Sequence, residues 1–244
     1  MRILISDSIS EEGLAVLQGA QVDYRPNLPR ATLLQIIGEY DALMVRSQTR
    51  VDAEVIHAGT RLKVIGRAGV GIDNIDVEAA TQRGIVVVNS PEGNTIAAAE
   101  LTMAHLLALA RMIPQADRSL RAGEWKRNLF VGVELWRKTL GVVGIGKIGR
   151  EVARRARAFG MRVLAYDPFV PEAHIRQLGA EPADLETLLR ESDFITLHAP
   201  LTPDTRHLLN RKTLALTKPG VRIINCARGE LIDPDALAEL TESG

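Results

Sequence analysis

Eight short runs rich in β-branched residues recur along the chain, separated by stretches with apolar residues at three- and four-residue spacing. The strand candidates are Arg2–Ser6, Ala42–Arg46, Leu62–Gly66, Ile85–Val88, Leu140–Val143, Arg162–Tyr166, Phe194–His198 and Val221–Asn225. The spacing between them, as in Leu14/Leu17, Leu33/Ile36/Ile37 and Val152/Ala156/Phe159, is that of one helix face. Strand, helix and strand repeated in this way predict an α/β fold of parallel sheets with helices on both faces. One segment breaks the rhythm. From Asn94 to about Leu120 the pattern is almost continuously helical, with Pro114 as its only breaker; lacking the donor a helix interior needs, Pro114 is expected to split the stretch in two. Lying after four strands and before four more, it predicts a connector between two Rossmann-like domains, 1–95 and 96–244. With 244 residues, there is length for two modest cores.

The most informative turn is TLGVVGIGKIGREVARRARAFG. Gly144, Gly146 and Gly149 form G-x-G-x-x-G between the strand Leu140–Val143 and a helix over Lys147–Phe159. The first glycine permits a tight turn and the second lets backbone amides approach a pyrophosphate. The third brings helix and strand close, and the helix N-terminus faces the anion. The strand Arg162–Tyr166 then ends at Asp167, eighteen residues past Gly149, against about 20 expected for a carboxylate that binds ribose hydroxyls. A carboxylate there repels the 2′-phosphate of NADP, and Pro168 and Phe169 supply no arginine for it, so NAD is the expected cofactor. The other readings are a βα turn without ligand, and an Asp167 that only caps the turn before Pro168.

Two further strand ends should flank the same site: His198-Ala199-Pro200, and Cys226-Ala227-Arg228-Gly229. Arg228 can aim its fork at a carboxylate and a carbonyl oxygen, or it can pair with a nearby acid such as Asp233.

Composition removes other classes. Basic and acidic residues number 30 each, so no bulk field draws nucleic acid or an anionic membrane. The apolar stretch Ile96–Ala110 is interrupted by Glu100 and His105 and is too short to span a bilayer. Cys226 is the only cysteine, which excludes disulfide and zinc frameworks; with no secretory segment at the N-terminus, this fits the cytoplasm.

Taken together, MVRSQTRVD (44–52), VIGRAGVGIDNIDVEAAT (64–81), VVNSPEGNTIAAAELTMAHLLALAR (87–111), GEWKRNLFVGVEL (123–135), LGVVGIGKIGREVA (140–153), YDP (166–168), HAPLTPDTRHLLN (198–210) and INCARGELID (224–233) resemble the D-isomer-specific 2-hydroxyacid dehydrogenase family, most of all its branch acting on 3-phospho-D-glycerate. The resemblance implies a substrate domain over the first 95 residues and an NAD domain inserted after it, with the active site in the cleft between. It implies NAD-dependent oxidation of a phosphorylated 2-hydroxy acid, the entry to serine synthesis. Arg228 would hold the substrate carboxylate, with Arg46, the Gly69–Gly71 turn and Asn94 facing the substrate and Lys126 or Arg127 meeting its phosphate. Val70, Lys147, Ile148, Asp167, Ala199, Pro200, Cys226, Ala227 and Arg228 match cofactor-contacting positions beside the three glycines.

The family's catalytic glutamate and histidine follow the Arg228 strand by more residues than remain. The chain is therefore expected to be a fragment without turnover of its own. His57, His105, His174, His198 and His207 do not replace the missing histidine. A related reductase for glyoxylate, hydroxypyruvate or lactate would not need Lys126 and Arg127, which then read as solvated charge. A third reading is a non-enzymatic NAD-sensing interaction protein. Trp125, Phe130 and Trp136 fall within twelve positions, which with helix 95–112 suggests a homo-oligomer surface or a hinge, the plain alternative being a local core under a loop.

Overall fold

The structure is a computed structural model that describes residues 1–17 and 19–243. Gly244, the end of the second expected domain, lies outside the described residues. The chain divides into two compact units, Met1–Asn94 and Thr95–Gly244.

The first unit runs β1 (Arg2–Ile5), α1 (Glu11–Ala15), β2 (Gln21–Tyr24), α2 (Arg30–Ile36), β3 (Ala42–Val45), α3 (Ala53–Ala58), β4 (Val64–Arg67), α4 (Val77–Gln82) and β5 (Val86–Asn89). Its five strands are all parallel, in the order β2-β1-β3-β4-β5. The order reverses between β1 and β3, and in open α/β sheets ligands bind beyond the carboxyl ends of strands at such a point. Alternate strand residues feed two cores: Leu4, Leu43, Val45 and Ile65 pack on one face, Ile3, Ile5 and Ala42 on the other. Side chains of a strand point to opposite faces, so helices cover both.

The second unit opens with α5 (Thr95–Arg111) and α6 (Ile113–Arg121), then β6 (Thr139–Val143), α7 (Lys147–Ala158), β7 (Arg162–Tyr166), α8 (Glu172–Gln177), β8 (Glu181–Pro182), α9 (Leu185–Glu191), β9 (Phe194–Leu197), α10 (Arg211–Leu214), β10 (Arg222–Asn225) and α11 (Pro234–Ser243). Its sheet is again parallel, β10-β9-β6-β7-β8. All five residues of β6 are buried. Leu140 and Val142 join a core with Ala99, Leu106 and Val152, while Val143 joins one with Leu188, Leu209 and Leu231 on the opposite face.

The stretch 94–120, expected to split at Pro114, is two helices bent by 67°. The break is Met112, in the left-handed region at φ 54°, and Pro114 sits in the first turn of α6, where its missing N–H costs no helical bond. Two strands escaped the sequence pattern. β2 reads QVDY with no buried residue, and β8 is two residues long. Both are edge strands, which need neither length nor an apolar run.

Candidate active site

In the second unit the glycine-rich turn occupies the point where strand order reverses between β6 and β9. Gly144 has φ +89°, and a Cβ there would meet the Ala199 amide nitrogen at 2.8 Å and the His198 carbonyl oxygen at 2.9 Å. This contact brings the His198-Ala199-Pro200 turn against the glycine turn. A Cβ at Gly149 would run into the Gly144 carbonyl oxygen, whereas a Cβ at Gly146 would meet nothing within 4 Å. Gly146 is also the N-cap of α7 and brings no side chain to its first-turn amides. Donors at a helix N-terminus, with space that only a missing side chain leaves, fit the pyrophosphate of a dinucleotide. Lys147, Ile148 and Gly149 form the first turn of α7.

Asp167 follows β7. Its Oδ2 accepts from the Ile145 backbone N–H at 3.0 Å and its Oδ1 from the Phe169 N–H at 3.0 Å. The turn-capping role is thus real, and the carboxylate also ties β7 to the glycine turn. Each oxygen keeps a second lone pair for a ribose hydroxyl. A hollow of about 480 Å³ opens beside it, lined by Tyr166, Asp167, Val170, Pro182, Ala183 and Asp184. It lies at the carboxyl ends of β7 and β8, the adenosine side of such a fold.

Cys226, Ala227 and Arg228 leave β10 as a half-buried turn. Asn225 shapes it: its Oδ1 accepts from the Ala227 N–H at 3.0 Å and its Nδ2 donates to the Arg228 carbonyl at 2.7 Å. Arg228 Nη1 donates to the Ala227 carbonyl at 2.9 Å. Asp233, the acid weighed as a partner for Arg228, caps α11, its Oδ1 accepting from the amides of Asp235 and Ala236.

His198 belongs to the same edge. Its Nε2 lies 2.9 Å from Thr196 Oγ1, and desolvation of the ring holds its pKa down to about 4. A neutral imidazole of such low basicity is a poor proton acceptor at neutral pH.

In the first unit a cleft of about 500 Å³ lies at the carboxyl ends of β3, β4 and β5, lined among others by Ser10, Arg46, Arg67, Gly69, Ser90 and Asn94. It gathers Arg46, Gly69 and Asn94 and adds Arg67, which residue spacing had not singled out. Gly71 and Val70 continue the Gly69 turn, held by Asn89 Nδ2 donating to the Val70 carbonyl at 2.7 Å and by the Ser90 amide donating to the Gly69 carbonyl at 3.1 Å. A Cβ at Gly69 would collide with the Arg67 guanidinium; the glycine leaves room for it.

Asp7 also went unnoticed in the sequence. It is 1% exposed and accepts from the backbone amides of Arg46 at 2.6 Å, Gln48 at 3.1 Å and Thr49 at 3.1 Å, and from Thr49 Oγ1. The only sequence signal was an acid directly after an apolar strand.

Lys126 and Arg127 belong to the second unit, exposed beside Trp125, Asn128 and Leu129. Lys126 pairs with Glu124 at 2.8 Å. Trp125 is 79% and Trp136 59% exposed, so neither makes a local core, and Ile96, Leu101 and Leu109 are exposed on α5. Among the described residues no helix alone is long and apolar enough to cross a membrane, and no cluster of three or more histidine, cysteine or acidic side chains could hold a metal.

Comparison with known proteins agrees with this geometry. Residues 103–244 match the family described as D-isomer specific 2-hydroxyacid dehydrogenase, NAD binding domain. A D-3-phosphoglycerate dehydrogenase of Synechocystis sp. is 55% identical over 243 residues, 99% of this chain and 44% of that protein. The chain spans less than half the length of the curated relatives it matches. Among solved structures, the TT0316 protein from Thermus thermophilus superposes with a TM-score of 0.89 at 39% identity, over 99% of this chain and 78% of that one. A D-lactate dehydrogenase from Aquifex aeolicus complexed with NAD and lactic acid gives 0.89 at 30% identity, over 100% and 74%. With glycine turn, sheet order and profile in agreement, the chain belongs to the D-isomer specific 2-hydroxyacid dehydrogenases.

Proposed function

We propose that the protein carrying this chain oxidises 3-phospho-D-glycerate to 3-phosphohydroxypyruvate with NAD, the first step of serine synthesis. The observation that carries the substrate reading is the pair Arg46 and Arg67 in one cleft beyond the ends of β3 and β4. A substrate with a carboxylate at one end and a phosphate at the other calls for more than one guanidinium. The reading is supported by relatives named D-3-phosphoglycerate dehydrogenase at 47–55% identity.

In this reading residues 1–95 form the substrate domain and 96–244 the NAD domain. The amides of Gly146 to Gly149 hold the cofactor pyrophosphate, Asp167 accepts from the adenosine ribose hydroxyls, and Ala199, Pro200, Cys226 and Ala227 flank it. NAD when bound supplies the hydride acceptor for C2 of the substrate. Arg228 binds the substrate carboxylate and stabilises negative charge on the C2 oxygen as its proton leaves. Gly69, Gly71 and Asn94 line the substrate side. His198 does not take that proton: its pKa of about 4 leaves it too weak a base near neutrality. The protein works in the cytoplasm as a homo-oligomer, using the exposed apolar residues of α5 together with Trp125 and Trp136; a monomer by light scattering of the intact protein would refute that assembly.

The test is NADH formation by the intact protein with 3-phosphoglycerate, glycolate and lactate supplied separately. Preference for 3-phosphoglycerate, lost on Arg46→Ala, is expected; equal rates with the unphosphorylated acids would overturn the assignment. A second reading, a reductase for a short 2-oxo acid such as glyoxylate or hydroxypyruvate, is favoured by one observation: Lys126 pairs with Glu124 on the exposed surface, as a solvated charge would.

A further inference from the structure

The two arginines of the first-unit cleft sit on different strand ends, and a single side chain touches both segments. Asn74, in the loop after β4, donates from Nδ2 to the Arg46 carbonyl at 2.8 Å and to the Thr49 carbonyl at 2.7 Å. Its Oδ1 accepts from Arg67 Nε at 3.2 Å. The backbone reinforces the link, since the Asn74 carbonyl accepts from the Val51 amide at 2.8 Å and Val51 pairs with Ile75 as a parallel bridge. Both amide protons and the carbonyl oxygen are thereby engaged, a combination of two donors and an acceptor that only a carboxamide offers at this length.

We propose that Asn74 is a positioning residue that sets Arg46 and Arg67 as one anion-binding pair. The inference rests on the reading that this cleft receives the anionic groups of the substrate. Its parts act at different places. The Nδ2 bonds hold the turn that carries Arg46, whose amide is already fixed by Asp7, so the backbone is gripped on both sides of its α-carbon. The Oδ1 bond fixes the plane of the Arg67 guanidinium through Nε, and Gly69 supplies the bare α-carbon beside it. A guanidinium held in one orientation loses less conformational freedom when it meets an anion than one that must be ordered on binding.

The test compares Asn74→Ala and Asn74→Asp with the wild type in the intact protein. Asn74→Asp keeps an acceptor for Arg67 but loses both donors and sets a carboxylate against two carbonyl oxygens; Asn74→Ala loses everything. Both are expected to raise KM for 3-phosphoglycerate by about tenfold or more while kcat and the KM for NAD stay within about twofold. In nitrogen-15 NMR the Arg67 Nε–H exchanges slowly with water in the wild type and in Asn74→Asp, and quickly in Asn74→Ala. A KM for 3-phosphoglycerate unchanged in Asn74→Ala overturns the inference, as does a KM for NAD that rises in step, which marks general damage. If the wild type does not oxidise 3-phosphoglycerate, the proposed function falls by itself. The exchange measurement then decides alone: persistent protection in Asn74→Ala overturns the positioning role and its loss supports it.

Discussion

The three glycines of the cofactor turn should respond to the same substitution in three different ways. Gly144→Ala forces an L-residue to φ +89° and drives a methyl to 2.8–2.9 Å from the backbone of His198 and Ala199. The left-handed backbone costs about 1–2 kcal/mol and the overlap about 1–3 kcal/mol. Together these reach roughly 2–5 kcal/mol, out of a typical total of about 5–15 kcal/mol. For a unit of this size they lower the melting temperature by the order of 10 °C. Gly149→Ala carries no such strain but pushes its methyl into the Gly144 carbonyl. That overlap is closer than the one at Gly144 and falls at about 3 kcal/mol or above; a helix-propensity gain of up to about 1 kcal/mol offsets part of it, leaving a loss of about 2 kcal/mol or more. Gly146→Ala meets nothing within 4 Å and has φ −65°, so folding suffers by about 1 kcal/mol or less, the N-cap preference of glycine over alanine. Its methyl instead occupies the approach to the α7 amides. Charge-assisted hydrogen bonds there contribute about 1.5–3 kcal/mol, so NAD affinity should fall roughly 10- to 150-fold. Thermal melts and titration calorimetry with NAD on the intact protein separate the cases. A Gly146→Ala variant that melts with the wild type and binds NAD within twofold of it would refute the pyrophosphate assignment.

Three further outcomes follow from single contacts. Asp167→Ala orphans the buried Ile145 amide and should cost about 1–3 kcal/mol of stability, while NAD binding weakens more than NADP binding because the repulsion of a 2′-phosphate goes too; a lowered melting point with unchanged NAD affinity would reduce Asp167 to a turn cap. His198 has its pKa pushed down to about 4 from 6.5 by desolvation. Between those values the unfolded chain holds a proton that the folded chain refuses, so its stability is intact above pH 6.5 and declines by about 3 kcal/mol as pH falls to 4. Denaturation against pH should show that decline flattened in His198→Gln, and an unchanged slope would contradict the buried neutral ring. Asp7→Ala removes the acceptor shared by three backbone amides and Thr49 Oγ1; the first unit is expected to lose about 3 kcal/mol or more, and a loss under about 1 kcal/mol would show that water replaces the carboxylate.

Much of the candidate site could be proposed from sequence because its chemistry is local. The G-x-G-x-x-G turn, the Asp167 strand end and the Cys226–Arg228 turn each lie within a few residues of a strand that announces itself by composition. Arg67, Asn74 and Asp7 were not singled out, for the opposite reason. Asp7 meets Thr49 forty-two residues away, and Asn74 meets Arg46 at a separation of twenty-eight. No spacing rule joins them, because the strand order that puts β1 beside β3 and β3 beside β4 is not a local property. The two overlooked strands show the same limit: β2 and β8 are defined by the neighbours they pair with and not by apolar runs of their own.

The sequence by itself determined the alternation of strand and helix, the parallel sheets that alternation requires, and the glycine turn at the mouth of a helix. Side-chain periodicity and turn chemistry are written residue by residue, and these features follow from them. Only the tertiary structure decided which strand ends share a crevice, that Gly69 is bare to admit a guanidinium, and that one carboxamide holds the segments of two arginines. The first and last of these join residues that are distant in the chain, and they exist because packed sheets fix the strand order and register; the Gly69–Arg67 approach is short in sequence but depends on the conformation of the turn after β4.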